Sequence, residues 1–109
     1  MPGPLDGVRV IELPAIGPVP FLGMLLADLG AEIVRIDKPV PDAMDALSAG
    51  APGRGRRSIA LDLRRPGAAE VVLRMVDGAD ALIEGFRPGV AERLGVGRAS
   101  CRERVFITV

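Results

Sequence analysis

The stretch Val8–Asp37, VRVIELPAIGPVPFLGMLLADLGAEIVRID, decides the fold. Val8 to Leu13 is a short β-branched and apolar run after the turn-like Pro4-Leu5-Asp6-Gly7, which is the pattern of a buried strand. Ala15 to Pro20 breaks that run. Proline suits a first helical turn because the N–H it lacks would be unpaired there, so a helix is expected to start between Pro18 and Phe21. Phe21, Met24, Leu25 and Leu29 then fall on one helical face, and Gly30 stands where a left-handed cap is wanted. Ala31 to Asp37 reads as a second strand. A strand, helix and strand of these lengths predict parallel pairing across a crossover.

Working outward, Lys38 to Arg57 holds no period and is punctuated by Pro39, Pro41, Gly50, Pro52, Gly53 and Gly55. It reads as a long functional loop with one short helical turn around Asp42 to Leu47. Ser58 to Leu63 resembles a third strand. Pro66 opens a helix whose Ala68, Val71, Val72, Met75 and Val76 share a face, ended by Gly78. Ala79 to Phe86 makes a fourth strand, and Arg87-Pro88-Gly89 turns into a short helix over Val90 to Leu94.

Composition narrows the chemistry. Fourteen basic and fourteen acidic residues cancel, leaving no global field to recruit nucleic acid or an anionic membrane. Histidine, tryptophan and tyrosine are absent, which removes histidine bases, histidine metal ligands and most aromatic stacking platforms. The single Cys101 and the lack of a signal-peptide pattern point to the cytoplasm, and the longest apolar stretch, Phe21 to Leu29, is far short of the ~20 residues of a membrane span.

In an open parallel sheet ligands bind beyond the C-terminal strand ends, so the residues after Leu13, Asp37, Leu63 and Phe86 are the ones to inspect. Gly17 stands alone among prolines, so the glycine fingerprint of dinucleotide binding is missing, although Asp37 sits where a ribose-binding acid would. A solvated strand-end carboxylate is the competing reading of Asp37. Arg35, Lys38, Arg54, Arg56, Arg57, Arg64 and Arg65 cluster in sequence and make a phosphorylated small molecule a candidate ligand. Phe86 beside Arg87 would suit a purine face and a phosphate, with core packing as the alternative for the ring. Glu12, Asp37 and Glu84 share a sheet edge without a histidine, metal pattern or serine elbow, so none is given a catalytic role.

After Val96 the text changes. Gly97-Arg98-Ala99-Ser100-Cys101-Arg102-Glu103-Arg104-Val105 has no apolar period and reads as one frame of a sequencing-library adapter joined to a truncated gene. Residues 97–109 are therefore expected to be a non-native tail outside the fold of residues 1–96. An ordinary polar C-terminal helix and an arginine-rich nucleic-acid contact are the alternatives.

Four blocks carry a resemblance. Pro4 to Leu13 with Ile16 to Phe21, Leu26 to Asp37, Arg56 to Leu63 and Ala81 to Gly95 are similar, in order and spacing, to the opening of α-methylacyl-CoA racemases in the family III CoA-transferase superfamily. The resemblance implies an α/β fold, a Rossmann-like parallel sheet with flanking helices, present here as its incomplete N-terminal part. It also implies an acyl-CoA thioester as substrate, no prosthetic group, no nucleic-acid or membrane partner, and an interlocked homodimer. By position, Lys38, Leu61, Asp62, Leu63, Arg64, Gly85, Phe86, Arg87 and Arg93 match stretches that contact the adenosine and phosphates of coenzyme A. Family racemases invert the carbon beside the thioester carbonyl with a histidine and an aspartate, one removing the α-proton and the other returning a proton from the opposite face through an enolate. Those residues are expected beyond Val109, leaving this chain inactive alone. A family III CoA-transferase, which uses an aspartate to form a mixed anhydride, is the nearest alternative, and a small non-catalytic nucleotide-binding module is the alternative of another class.

Overall fold

The computed structural model describes residues 3–15, 17–40, 55–101 and 104–109. The helical turn expected around Asp42 to Leu47, and Arg54, lie outside them. The chain order is β1 (Arg9–Glu12), α1 (Pro18–Asp28), β2 (Glu32–Asp37), β3 (Arg56–Ala60), α2 (Ala68–Asp77), β4 (Ala81–Glu84), α3 (Val90–Arg93), α4 (Arg98–Cys101) and β5 (Val105–Thr108). All neighbouring strands pair in parallel, in the order β3-β2-β1-β4-β5. This is the α/β sheet with flanking helices that the β1–α1–β2 stretch predicts, and its strand order reverses at β1, the position where such sheets open a crevice.

Two apolar layers sandwich the sheet. Val10, Val19, Ala31, Ile33, Ala81 and Ile83 form the layer under α1, with Leu22, Leu26 and Ala27 packed against it. Ile11, Leu13, Ile36, Val72, Val76 and Leu82 belong to the layer under α2. Strand alternation sends successive residues to opposite faces, which is why Ile33 and Ile36, both buried, serve different layers.

Helix α1 stops as expected: Gly30 adopts φ 106°, and its N–H and that of Ala31 return to the carbonyls of Ala27 and Leu26. Its facing differs from the simplest reading of the pattern. Phe21, Leu25 and Leu29 do share a face, but that face is the outer one, 55%, 41% and 44% exposed. Val19, Pro20 and Gly23 are the buried positions. A helix apolar on most sides carries too little contrast to choose, and the choice falls to Gly23, where a Cβ would lie 2.0 Å from the Glu12 carboxylate.

Strand β4 is shorter than expected, Ala81–Glu84 rather than Ala79 to Phe86, and β3 is displaced. Strand β3 begins at Arg56 rather than Ser58 and ends at Ala60 rather than Leu63. The Asp62 carboxylate accepts from the backbone N–H and guanidinium of Arg64, and this local turn bends the chain off the sheet. In the segment expected to be a non-native tail, β5 pairs with β4 from Ala81↔Val105 to Glu84↔Thr108, and Cys101 and Phe106 are buried in the α2 layer. Arg104 donates to the Val76 and Asp77 carbonyls at the end of α2, and Arg98 lies 5.2 Å from the Phe106 ring centre. A four-residue strand is too short to show a period in sequence, and the open edge of β4 supplies the template that orders it.

Candidate functional site

The C-terminal ends of the strands converge on a cleft of about 860 Å³. Pro14 follows β1, Lys38, Pro39 and Val40 follow β2, and Leu61 to Arg65 follow β3. Phe86, just past β4, closes it together with Val90, Arg93 and Leu94. Lys38, Arg64, Arg65 and Arg93 thus face a space whose carboxylate is Asp62, while Leu61, Leu63, Phe86 and Leu94 give it an apolar lining. The Arg64 backbone N–H, then its guanidinium, hold the Asp62 carboxyl below the usual carboxylate range, so it stays ionised and partly spent on Arg64. What remains is an anion-seeking rim over an apolar floor, suited to a ligand that joins a flat ring to phosphates.

Of the nine residues matched by position, Lys38, Leu61, Asp62, Leu63, Arg64, Phe86 and Arg93 line this cleft. Gly85 and Arg87 are not among its lining residues. Gly85 faces α1, where a Cβ would sit 2.7 Å from Val19 Cγ2, and Arg87 is exposed just beyond Phe86. Arg65, Pro14, Pro39, Val40, Val90 and Leu94 join the lining without having been matched. Arg65 had its signal in the cation cluster, and that of the others was positional, shortly after a strand end or at the short helix after β4.

The cation cluster of the sequence is divided by the sheet. Arg35 pairs with Asp37 at 3.0 Å, and Ser58 Oγ–H also donates to Asp37, so this carboxylate is engaged within the sheet rather than lining the cleft. Arg57 is exposed and 3.8 Å from Glu32. Arg56 runs inward, its side chain 1% exposed, to pair with the equally buried Glu12 at 3.2 Å. Burial pushes the Glu12 carboxyl up to about 7, against the pull of Arg56 and Arg35. Glu84, 5% exposed, accepts from the Phe86 N–H at 2.7 Å and shapes the turn into the cleft. Among the described residues no group of three His, Cys, Asp or Glu side chains could hold a metal ion, and no helix is long and apolar enough to cross a membrane.

Comparison with known proteins places this geometry. The model of CoA-transferase family III matches residues 5–105. The α-methylacyl-CoA racemase of Mus musculus is 47% identical over 93 residues, covering 85% of this chain and 23% of that protein. The succinyl-CoA–D-citramalate CoA-transferase of Chloroflexus aurantiacus is 40% identical over 107 residues, covering 88% and 27%. The crystal structure of Rv3272 from M. tuberculosis superposes with a TM-score of 0.89 at 33% identity, covering 97% of this chain and 31% of that one. The chain therefore spans about a quarter to a third of the length of these relatives. The family match spans β1 to β4 and reaches the first residue of β5, cleft residues included, and on that ground the chain belongs to CoA-transferase family III.

Proposed function

We propose that this chain is the coenzyme A-binding portion of an α-methylacyl-CoA racemase-like enzyme, its cleft taking the adenosine and phosphates of an acyl-CoA. The observation that carries the reading is the convergence of Lys38, Arg64, Arg65 and Arg93 over the apolar Leu61, Leu63 and Phe86 at the C-terminal strand ends. In this reading the adenine stacks by Phe86 and the phosphates meet the guanidinium groups, which bind phosphate oxygens in pairs. Gly85 and Arg87 enter it from the family resemblance. The proton transfers at the α-carbon belong to parts of the relatives' length that these residues do not span, in a cytoplasmic homodimer. The 47% identity to the mouse racemase favours inversion of a 2-methylacyl-CoA.

CoA-transfer between carboxylic acids is the second reading, favoured by the 40% identity to a citramalate CoA-transferase. The two separate on the whole enzyme: a racemase washes solvent deuterium into the α-carbon, and a transferase exchanges labelled CoA between acids. For the cleft itself, titration of this chain with coenzyme A at low ionic strength is expected to saturate. Arg64→Ala or Arg93→Ala should weaken binding roughly tenfold, as loss of one charge-assisted contact does. Arg57→Ala, away from the cleft, should leave it unchanged. Equal affinity in all four proteins would overturn the assignment.

A further inference from the structure

Edge strand β3 leads into the cleft wall Leu61 to Arg65. Among the described residues it pairs with β2 alone, and Arg57, Ser58, Ile59 and Ala60 are exposed. Arg56 is the exception. It sits beside Ile33 of β2, which sits beside Val10 of β1, so its side chain passes over β2 to reach Glu12 on the second strand away, across two strand spacings of roughly 4.8 Å each. There Nε lies 3.2 Å from Glu12 Oε1, and Nη1 donates to the Pro20 carbonyl in the first turn of α1 at 3.1 Å. One side chain thus ties β3 to β1 and to α1.

The surroundings are shaped for this contact rather than for packing. A glycine in a helix interior costs about 1 kcal/mol against alanine, yet Gly23 occupies the buried face of α1 where any Cβ would strike Glu12. Arg56 Nε and Nη2 and Glu12 Oε1 make no hydrogen bond among the described residues, so the pair is retained at a desolvation cost that an apolar pair would avoid. A buried ion pair of that kind is poorly explained by stability and better by specifying one arrangement. The next hydrogen bond beyond β3, Leu61 N–H to the Asp37 carbonyl at 2.9 Å, is the first residue of the cleft wall.

We infer that Glu12 and Arg56 are positioning residues for the cleft: their buried pair fixes the register and lie of β3, and through it the wall Leu61 to Arg65 against Lys38 and Arg93. The ligand half of this inference rests on the coenzyme A reading; the positional half does not. Amide hydrogen exchange at pH 8, where the Glu12 carboxyl is ionised, tests it in the wild-type chain, Glu12→Gln and Arg56→Gln. Exchange at Leu61 and along β3 is expected to rise roughly tenfold in either variant while the Leu82 and Ile83 amides of β4 keep their protection, the pattern of a local opening. Combining both changes should add little to either alone, because each removes the same link. Arg56→Lys, which keeps charge and reach, should restore most of the protection and serves in place of Arg56→Gln if that variant does not fold. Coenzyme A affinity should fall in step with Leu61 protection. Uniform loss of protection in β3 and β4 together, or unchanged exchange at Leu61, overturns the inference. If coenzyme A binds none of the proteins while the exchange pattern holds, the ligand reading fails and the positioning role stands.

Discussion

Glu12 carries a carboxyl displaced well above the ordinary carboxylate range. Its carboxyl is raised from 4.5 to about 7 because burial penalises the anion more than Arg56 and Arg35 favour it. The folded protein therefore holds a proton on Glu12 between those two values that the unfolded chain has released. By linkage the contribution is fully present below pH ~4.5, declines as pH rises, and is gone above about 7. At about 1.4 kcal/mol per pKa unit the swing is on the order of 3 kcal/mol. Asp62 titrates outside this window, since its lowered carboxyl acts only as pH falls below the ordinary aspartate range. Urea unfolding of the wild type and Glu12→Gln at pH 5 and pH 8 should show the wild type losing stability relative to the variant at the higher pH. A difference that stays constant between the two pH values would show that Glu12 titrates normally in the fold.

At the scale of elements, the facing of α1 is the sharpest case of local pattern yielding to a neighbour. Leu22 packs on the layer of Val10, Ile33 and Ile83, whereas Leu25 is 41% exposed on the outer face. Leu25→Glu is expected to shift the thermal midpoint little, within the ~0.5 kcal/mol usual for surface changes. Leu22→Glu should cost several times more by burying a charge with no partner. The reverse order would mean the helix is turned. The same comparison marks what was legible. Strand pairing, the α1 stop at Gly30 and the placing of a cleft after the strand ends all follow from period and punctuation, because those signals are local. The fate of the seven clustered cations does not, since alternation along β2 and β3 sends neighbours such as Arg56 and Arg57 to opposite faces, and only the paired register shows which meets Glu12. The early end of β3 was hidden for a related reason: the Asp62 turn competes with an apolar run that reads equally well as strand.

For the whole molecule the question is what the last thirteen residues do. In sequence they break the pattern before them, and in the fold β5 among them pairs along the β4 edge beside Leu82 and Ile83. Phe106, 8% exposed, lies in the α2 layer with Leu82, Val96 and Cys101. A buried phenylalanine cut back to alanine costs ~3–5 kcal/mol, a large part of the ~5–15 kcal/mol that holds a typical domain. Phe106→Ala should therefore lower the urea midpoint sharply with the slope of the transition unchanged, as expected when stability alone falls. Val105→Ala, at a position 60% exposed at the start of the same strand, should change it little. If both variants unfold like the wild type, β5 contributes nothing to the fold and the sheet of four strands is the folding unit. If only Phe106→Ala is destabilised, β5 holds the fold through the apolar layer beneath it, and pairing along the β4 edge alone is not what keeps it in place.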